Sequence, residues 1–129
     1  MSAADTLKKV PLFAGLDDKD LEFIARRMIE RRFKAGDTLT EQGASGIGFF
    51  VIEDGTADVM VDGEAKGSVG PGDYFGEIAL LTDSDRTATL TATTDMLTYG
   101  LTSWDFKPLV ESNSEIAWKL LTAMAQKLA

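Results

Sequence analysis

FFVIEDGTADVMVDGEAKGSVGPGD, residues 49–73, reads as a succession of short strands broken by tight turns. Phe49 to Glu53 is an apolar run of strand length, built from residues that suit a pleated, buried surface. Asp54-Gly55 follows as a two-residue hairpin signal. Thr56 to Val61 then alternates, with Ala57, Val59 and Val61 on one face, before Asp62-Gly63 offers a second hairpin of the same type. Glu64 to Val69 returns, and Gly70-Pro71-Gly72-Asp73 closes the block with another turn.

The same pattern continues on both sides of this block. Short strands are expected from Ile29 onward, with a turn at Lys34–Asp37, a strand at Thr38–Glu41 and a glycine-containing loop at Gln42–Gly48. Further on, Thr87–Thr93 and Met96–Thr102 alternate, with Leu97, Tyr99 and Leu101 in phase. Seven or eight short strands at this spacing predict a sandwich or jelly roll. Helices are predicted to flank them. Asp17 and Asp20 stand at capping-box spacing ahead of Leu21, Ile24, Ala25 and Met28, and a shorter helix is expected over Asp5–Lys9. At the other end Ser103 is expected to cap a short helix carrying Phe106, Leu109 and Val110. Ser114 is expected to cap a longer one striped by Ile116, Leu120, Met124 and Leu128. The expected fold is therefore mainly β: a jelly-roll, or double-stranded β-helix, barrel with an N-terminal helix and two C-terminal helices. No linker, repeat or low-complexity tract interrupts residues 1–129, so a single domain is expected.

Composition removes several function classes. The 129 residues contain no cysteine and no histidine, which excludes thiolate chemistry, Ser-His-Asp catalysis and imidazole-ligated metals. An enzyme of the cupin type, which shares a small barrel, holds its metal with histidines and is therefore disfavoured. The formal net charge is −8 at pH 7, a sign that repels a phosphate backbone, so direct nucleic-acid binding is not expected. No apolar run approaches a membrane span, and Met1–Lys9 does not read as a secretory signal. A cytoplasmic protein without membrane contact is expected.

One segment reads as neither strand nor hairpin: Tyr74-Phe-Gly-Glu-Ile-Ala-Leu-Leu-Thr-Asp-Ser-Asp-Arg-Thr-Ala-Thr89. Gly76 permits a close backbone approach or a conformation barred to other residues. Glu77 to Leu81 has helix formers for little more than one turn, whose free N–H groups at Gly76, Glu77, Ile78 and Ala79 suit an anion. Arg86 is the only cation between Lys66 and Lys107, and a lone guanidinium there suits bidentate capture of phosphate oxygens. Thr87 adds a hydroxyl. Glu77 would be repelled by a phosphate unless it accepts from a hydroxyl, such as a ribose 2′-OH. In so acidic a chain, this segment reads as the one place where an anion gathers.

The segment resembles the phosphate-binding cassette of cyclic-nucleotide-binding domains: Phe-Gly-Glu, small or apolar residues, a loop, then Arg-(Thr/Ser/Ala)-Ala. The likeness runs from about Leu7 to Leu128, including Pro11-Leu12-Phe13, the Gly36 turn, Glu41–Gly43 and the Gly70–Asp73 turn. The resemblance implies a ribose 2′-OH on Glu77 and a cyclic phosphate on Arg86 and on the N–H groups of Ile78 and Ala79. It places Gly76 against the sugar, Thr87 on phosphate or base edge, and Phe75, Leu80 and Leu90 behind the pocket. Val51 and Val59 are contributors to an apolar base surface under the same resemblance. The C-terminal helix becomes a lid, with Trp118, Leu121 or Met124 as its cap.

The implied function is a non-enzymatic sensor without a cofactor. Its ligand is a cyclic nucleotide, with cAMP favoured over cGMP, and its output is an effector protein or fused module. The oligomeric state is left open. Plainer readings stand beside this one. Glu77 and Arg86 also suit an exposed ion pair, Thr87 is a good β-former, and Trp104 and Trp118 fit the core. The same fold can also serve as a protein-interaction domain that binds no nucleotide.

Overall fold

The computed structural model describes residues 3–40, 48–76, 80–81 and 88–129. Helix α1 (Ala3–Leu7), a 3-10 turn (Pro11–Phe13) and α2 (Asp18–Ala25) lead into the strands. These are β1 (Ile29–Phe33), β2 (Thr38–Thr40), β3 (Gly48–Asp54), β4 (Ala57–Val61), β5 (Glu64–Val69), β6 (Tyr74–Phe75), β7 (Thr89–Ala92) and β8 (Met96–Thr102). Helices α3 (Ser103–Glu111) and α4 (Ser114–Leu128) end the chain. The strands form two antiparallel four-stranded sheets, ordered β1-β8-β3-β6 and β2-β7-β4-β5. Among the described residues no strand pairs across the two sheets, so the jelly roll is an open barrel rather than a closed one.

Consecutive strands mostly change sheet, and this corrects one sequence expectation. Asp62-Gly63 is a hairpin: Val61 faces Glu64, and Asp62 (φ 54°) and Gly63 (φ 80°) take the two positive angles that such a turn needs. Asp54-Gly55 is not. Asp54 is still the last residue of β3, with no positive φ, and β3 pairs with β6 and β8 rather than with β4. The dipeptide is instead a corner that carries the chain from one sheet to the other. Gly55 has φ 90°, and a Cβ there would lie 2.3 Å from the Asp95 carbonyl oxygen and 2.7 Å from Met96 Cγ. The neighbouring Thr56 N–H donates to Thr94 Oγ1 at 3.0 Å, and the Thr56 and Thr93 hydroxyls lie 2.6 Å apart. The corner from β3 to β4 is thus locked against the corner from β7 to β8.

A second corner joins β1 to β2. Gly36 N–H donates to the Ala92 carbonyl at 2.7 Å, and Asp37 Oδ2 accepts from Lys34 N–H at 2.8 Å. The third, Gly70–Asp73, closes on the Asp73 carboxylate, which accepts from Gly70 N–H at 2.8 Å.

Within sheet β1-β8-β3-β6 the central strands β3 and β8 are buried on both faces. Phe49, Val51, Tyr74, Tyr99 and Leu101 point to the helices, where Phe13 meets Phe49 and Phe106 edge-on, at centroid distances of 5.9 and 6.0 Å. Ile52, Met96, Phe33 and Phe75 point the other way, against Ala57, Ala92, Leu39 and Val69 of the second sheet. The apolar run Phe49–Ile52 follows from this, since a strand covered on both sides has no polar face. Each large side chain fully buried in these layers contributes about 1.5–3 kcal/mol.

The N-caps of α2, α3 and α4 were legible to within one residue. Asp17 accepts from Asp20 N–H at 2.9 Å, as the capping spacing predicts. The first helix is Ala3–Leu7 rather than Asp5–Lys9. The caps of α3 and α4 are Thr102 and Asn113, each one residue before the serine expected, and they accept from Asp105 N–H at 3.3 Å and Ile116 N–H at 3.2 Å. Serine, threonine and asparagine cap comparably, so the competing neighbour wins on the backbone angle that the preceding element delivers. In α4, Ile116, Leu120 and Ala123 are buried, whereas Leu128 is 85% exposed. Trp118 is 69% exposed and Trp104 60% exposed, so neither belongs to the core.

Lys119 pins α4 to α2. Its ammonium lies 2.7 Å from Asp20 Oδ2, 3.5 Å from Glu115 and 4.0 Å from Asp17. The hydrogen bond to Asp20 holds the Lys119 ammonium above the ordinary lysine range. The backbone N–H of Asp20 holds Asp17 below the ordinary carboxylate range.

Two stability predictions follow from these contacts. Gly36→Ala and Gly55→Ala share a positive φ, but only Gly55 faces backbone at close range. In urea denaturation Gly36→Ala is expected to cost about 1 kcal/mol, and Gly55→Ala about 3 kcal/mol or more. Equal costs would refute the locked corner. For the second, Lys119→Met is compared with the native chain in melting temperature across pH. A raised lysine stabilises fully below its unfolded pKa and loses that contribution as pH rises through its folded one. The gap between the two proteins is therefore expected to be constant through neutral pH and to close above the ordinary lysine range.

Candidate functional site

The segment singled out by sequence begins as a strand. Tyr74 and Phe75 form β6, pairing with Val51 and Phe50, which corrects the expectation of an irregular stretch at this point. The register sends Tyr74 to the helix layer and Phe75 between the sheets. There Phe75 stacks on Phe50 at 5.1 Å with a 20° interplanar angle, and Phe50 meets Phe33 edge-on at 6.3 Å. A row of three rings therefore crosses the inner face of the sheet and ends at the residue before Gly76. Gly76 has φ 84°, a conformation that a side chain resists, so the chain leaves β6 by a turn that glycine permits.

Glu77, Ile78, Ala79, Arg86 and Thr87 lie outside the described residues, as do the Asp83 and Asp85 carboxylates and most of the Gln42–Gly48 loop. The flanks of the segment are described and well anchored. Leu80 is buried in the helix-side layer with Phe106 and Leu109, and Leu81 beside it is 52% exposed. On the far flank, Thr89 opens β7, and buried Leu90 faces Val59 of β4 and Thr40 of β2. Phe75 and Leu90 thus lie on the barrel side, while Leu80 lies in the helix layer. The pocket that these three residues are expected to back lies outside the described residues.

The two valines proposed for a base surface also part company. Val59 is half-buried on the face of β4 that carries Ala57, the inner face, and can line the barrel. Val51 is buried on the opposite face of β3, under the helices, because strand alternation places it with Phe49. It cannot line the barrel.

Sequence reasoning missed a groove of about 450 Å³ between the Leu80–Leu81 step and α3. Leu81, Trp104, Phe106 and Val110 supply its apolar wall, and Lys107 and Glu111 its charges. Phe106 and Val110 belong to the helix expected from Ser103, but nothing in the spacing brings Leu81 to that helix. α4 displays further apolar side chains outward, with Trp118 and Leu121 69% and 61% exposed, while Met124 packs against the core. Among the described residues no cluster of three metal-ligating side chains occurs, and no helix is long and apolar enough to cross a membrane.

Comparison with known proteins places this geometry. The chain is 39% identical over 93 residues to a cAMP-dependent protein kinase regulatory subunit from Debaryomyces hansenii. That match covers 72% of this chain and 20% of the yeast protein, so the chain spans about one fifth of that relative. Among solved structures, the N-terminal domain of a transcriptional regulator from Streptomyces coelicolor superposes with a TM-score of 0.85 at 34% identity, covering 96% of this chain and 90% of that one. The regulatory domain of Toxoplasma gondii PKA, crystallised with cAMP, superposes with a TM-score of 0.71 at 32% identity, covering 82% of this chain and 42% of that one. The family model for the cyclic nucleotide-binding domain matches residues 30–113, from the first strand to the start of the last helix. The jelly roll, the glycine turn after β6 and these matches agree: the chain belongs to the cyclic nucleotide-binding domain family, of the regulatory type.

Proposed function

We propose that residues 1–129 form a single sensor domain that binds a cyclic nucleotide, cAMP in preference to cGMP, and passes the signal to an effector. The observation that carries this reading is the setting of Phe75-Gly76. The ring is clamped on Phe50 inside the barrel, and the glycine turns at φ 84° directly before the acid of the Phe-Gly-Glu motif. Gly76 lies against the sugar and Glu77 accepts from the ribose 2′-OH. Arg86 pairs with the cyclic phosphate, the N–H groups of Ile78 and Ala79 complete its cradle, and Thr87 contacts the phosphate or the base edge. Phe75 and Leu90 back the pocket, and Val59 offers apolar surface to the base. The cAMP co-crystallised with the Toxoplasma regulatory domain, 32% identical, supports the choice of ligand.

Leu80 supplies the route out. It lies four residues beyond Gly76 and packs in one buried layer with Phe106 and Leu109 of α3. Ordering of the cassette around a phosphate is thereby felt by α3, and through it by α4. A ligand that binds one arrangement of these helices better shifts the population toward it. Outward-facing Trp118 and Leu121 are then available to cover the base or to meet an effector. The domain works in the cytoplasm as a non-catalytic regulator, without contact with membrane or nucleic acid.

Calorimetry with cAMP, cGMP and linear AMP tests the assignment. cAMP is expected to bind most tightly and linear AMP far more weakly. Arg86→Ala is expected to lose about 2 kcal/mol or more of binding free energy through the phosphate. Equal binding by mutant and native chain would refute the assignment of Arg86, and no binding of either cyclic nucleotide would make this an interaction domain. Glu77→Gln is expected to weaken cyclic-nucleotide binding while leaving the melting temperature unchanged. A lowered melting temperature would make Glu77 structural.

A further inference from the structure

Between Arg26 and Lys34 the chain places five cations, Arg26, Arg27, Arg31, Arg32 and Lys34, against one acid, Glu30. This stretch carries +4 in a chain of net −8, which leaves −12 for the remainder. It is a second place for an anion to gather, besides the segment after β6. All five cations are exposed. They run from the end of α2 along β1, the edge of its sheet, which is paired among the described residues with β8 alone. Ile29, at the start of the strand, is 57% exposed.

The side chains are distributed over both faces of this edge. Arg31 sits opposite Thr98 on the inner face, its guanidinium 5.9 and 5.7 Å from the Phe33 and Phe50 ring centroids. Arg32 sits opposite Leu97 on the other face, bonded to Glu30 at 3.0 Å. Arg27 lies 4.1 Å over the Phe23 ring and donates to the Phe23 carbonyl. Stacked guanidinium groups are held in place at little entropic cost and keep donors free at their rims. At the far end, Asp37 and Asp95 accept from the Lys34 and Ala35 N–H groups, so the positive field is strongest toward Ile29.

Charge on an edge strand ordinarily wards off pairing with other chains. Charge of one sign wards off neutral and like-charged strands but attracts the opposite sign. We propose that β1 is a docking edge for an extended acidic segment of a partner protein, which adds as a further strand beside Ile29–Phe33. The strand edge, paired among the described residues with β8 alone, supplies register, and successive acidic side chains, which point to opposite faces of the added strand, meet Arg31 on one face and Arg32 on the other. A long polyanion is disfavoured, because beyond this short strand it meets the −12 of the remaining surface. The inference is independent of nucleotide binding.

The test uses the full chain and a fluorescent peptide in which adjacent pairs of glutamate are separated by valines, so that both faces of the added strand carry acid, followed by anisotropy. Binding is expected, weakening as salt rises. A central proline and a glutamine-for-glutamate version are each expected to reduce it sharply, the first by blocking strand pairing and the second by removing charge. Arg31→Gln/Arg32→Gln is expected to weaken binding about tenfold or more with an unchanged melting temperature. Vesicles of phosphatidylcholine with phosphatidylserine, and duplex DNA, are expected not to bind. The proposal is overturned by no binding of the acidic peptide, by equal binding of its proline form, or by an unaffected double variant. Binding of vesicles or DNA as tight as that of the peptide would overturn it in favour of a general anion surface.

Discussion

The side chains of β3 alternate between two apolar layers, and the rest of the molecule is arranged around that alternation. Phe49 and Val51 reach into the helices, and Phe50 and Ile52 reach between the sheets. A slip of one residue in this strand would exchange the two sets and break both layers at once, so register is pinned from both sides. The helix layer depends on it through the Phe13–Phe49–Phe106 contacts. The barrel interior depends on it through Phe50, which holds Phe75 on one side and Phe33 on the other.

The same sheet separates the barrel interior from the helix layer. The chain leaves β6 with Phe75 inside the barrel, turns at Gly76, and by Leu80 has reached the helix layer. The two described ends of this stretch, Phe75 and Leu80, therefore belong to different layers. The helices are separately tethered, since Lys119 joins α4 to α2 through Asp20. Movement of α4 is thus opposed by one identifiable set of ion pairs as well as by apolar burial.

Much of this was readable from residue order. Strand period, turn residues and the Asp17 cap follow from local chemistry, and local chemistry is what a sequence displays directly. Asp54-Gly55 shows where that stops. It carries the same two residues as Asp62-Gly63, yet one pair bridges two sheets and the other closes a hairpin. The difference lies in what surrounds them: Gly55 is pressed against Asp95 and Met96, about forty residues further along, and Gly63 has open space around it. The tryptophans show a related limit. Trp104 and Trp118 are large and apolar, but α3 and α4 each turn another stripe inward and leave them at the surface.

The sequence by itself determined the class of fold, the order of its main elements, and the Phe-Gly-Glu and Arg-Thr-Ala pattern that marks the cassette, because each rests on short-range periodicity or spacing. The tertiary structure alone decided which face of β3 carries Val51, that Phe75 and Leu80 belong to different layers, and that β1 is a basic edge beside one neighbour. Those are questions of which distant segments share a layer. Many pairings satisfy the same local pattern, and only the burial of both faces of one sheet selects among them.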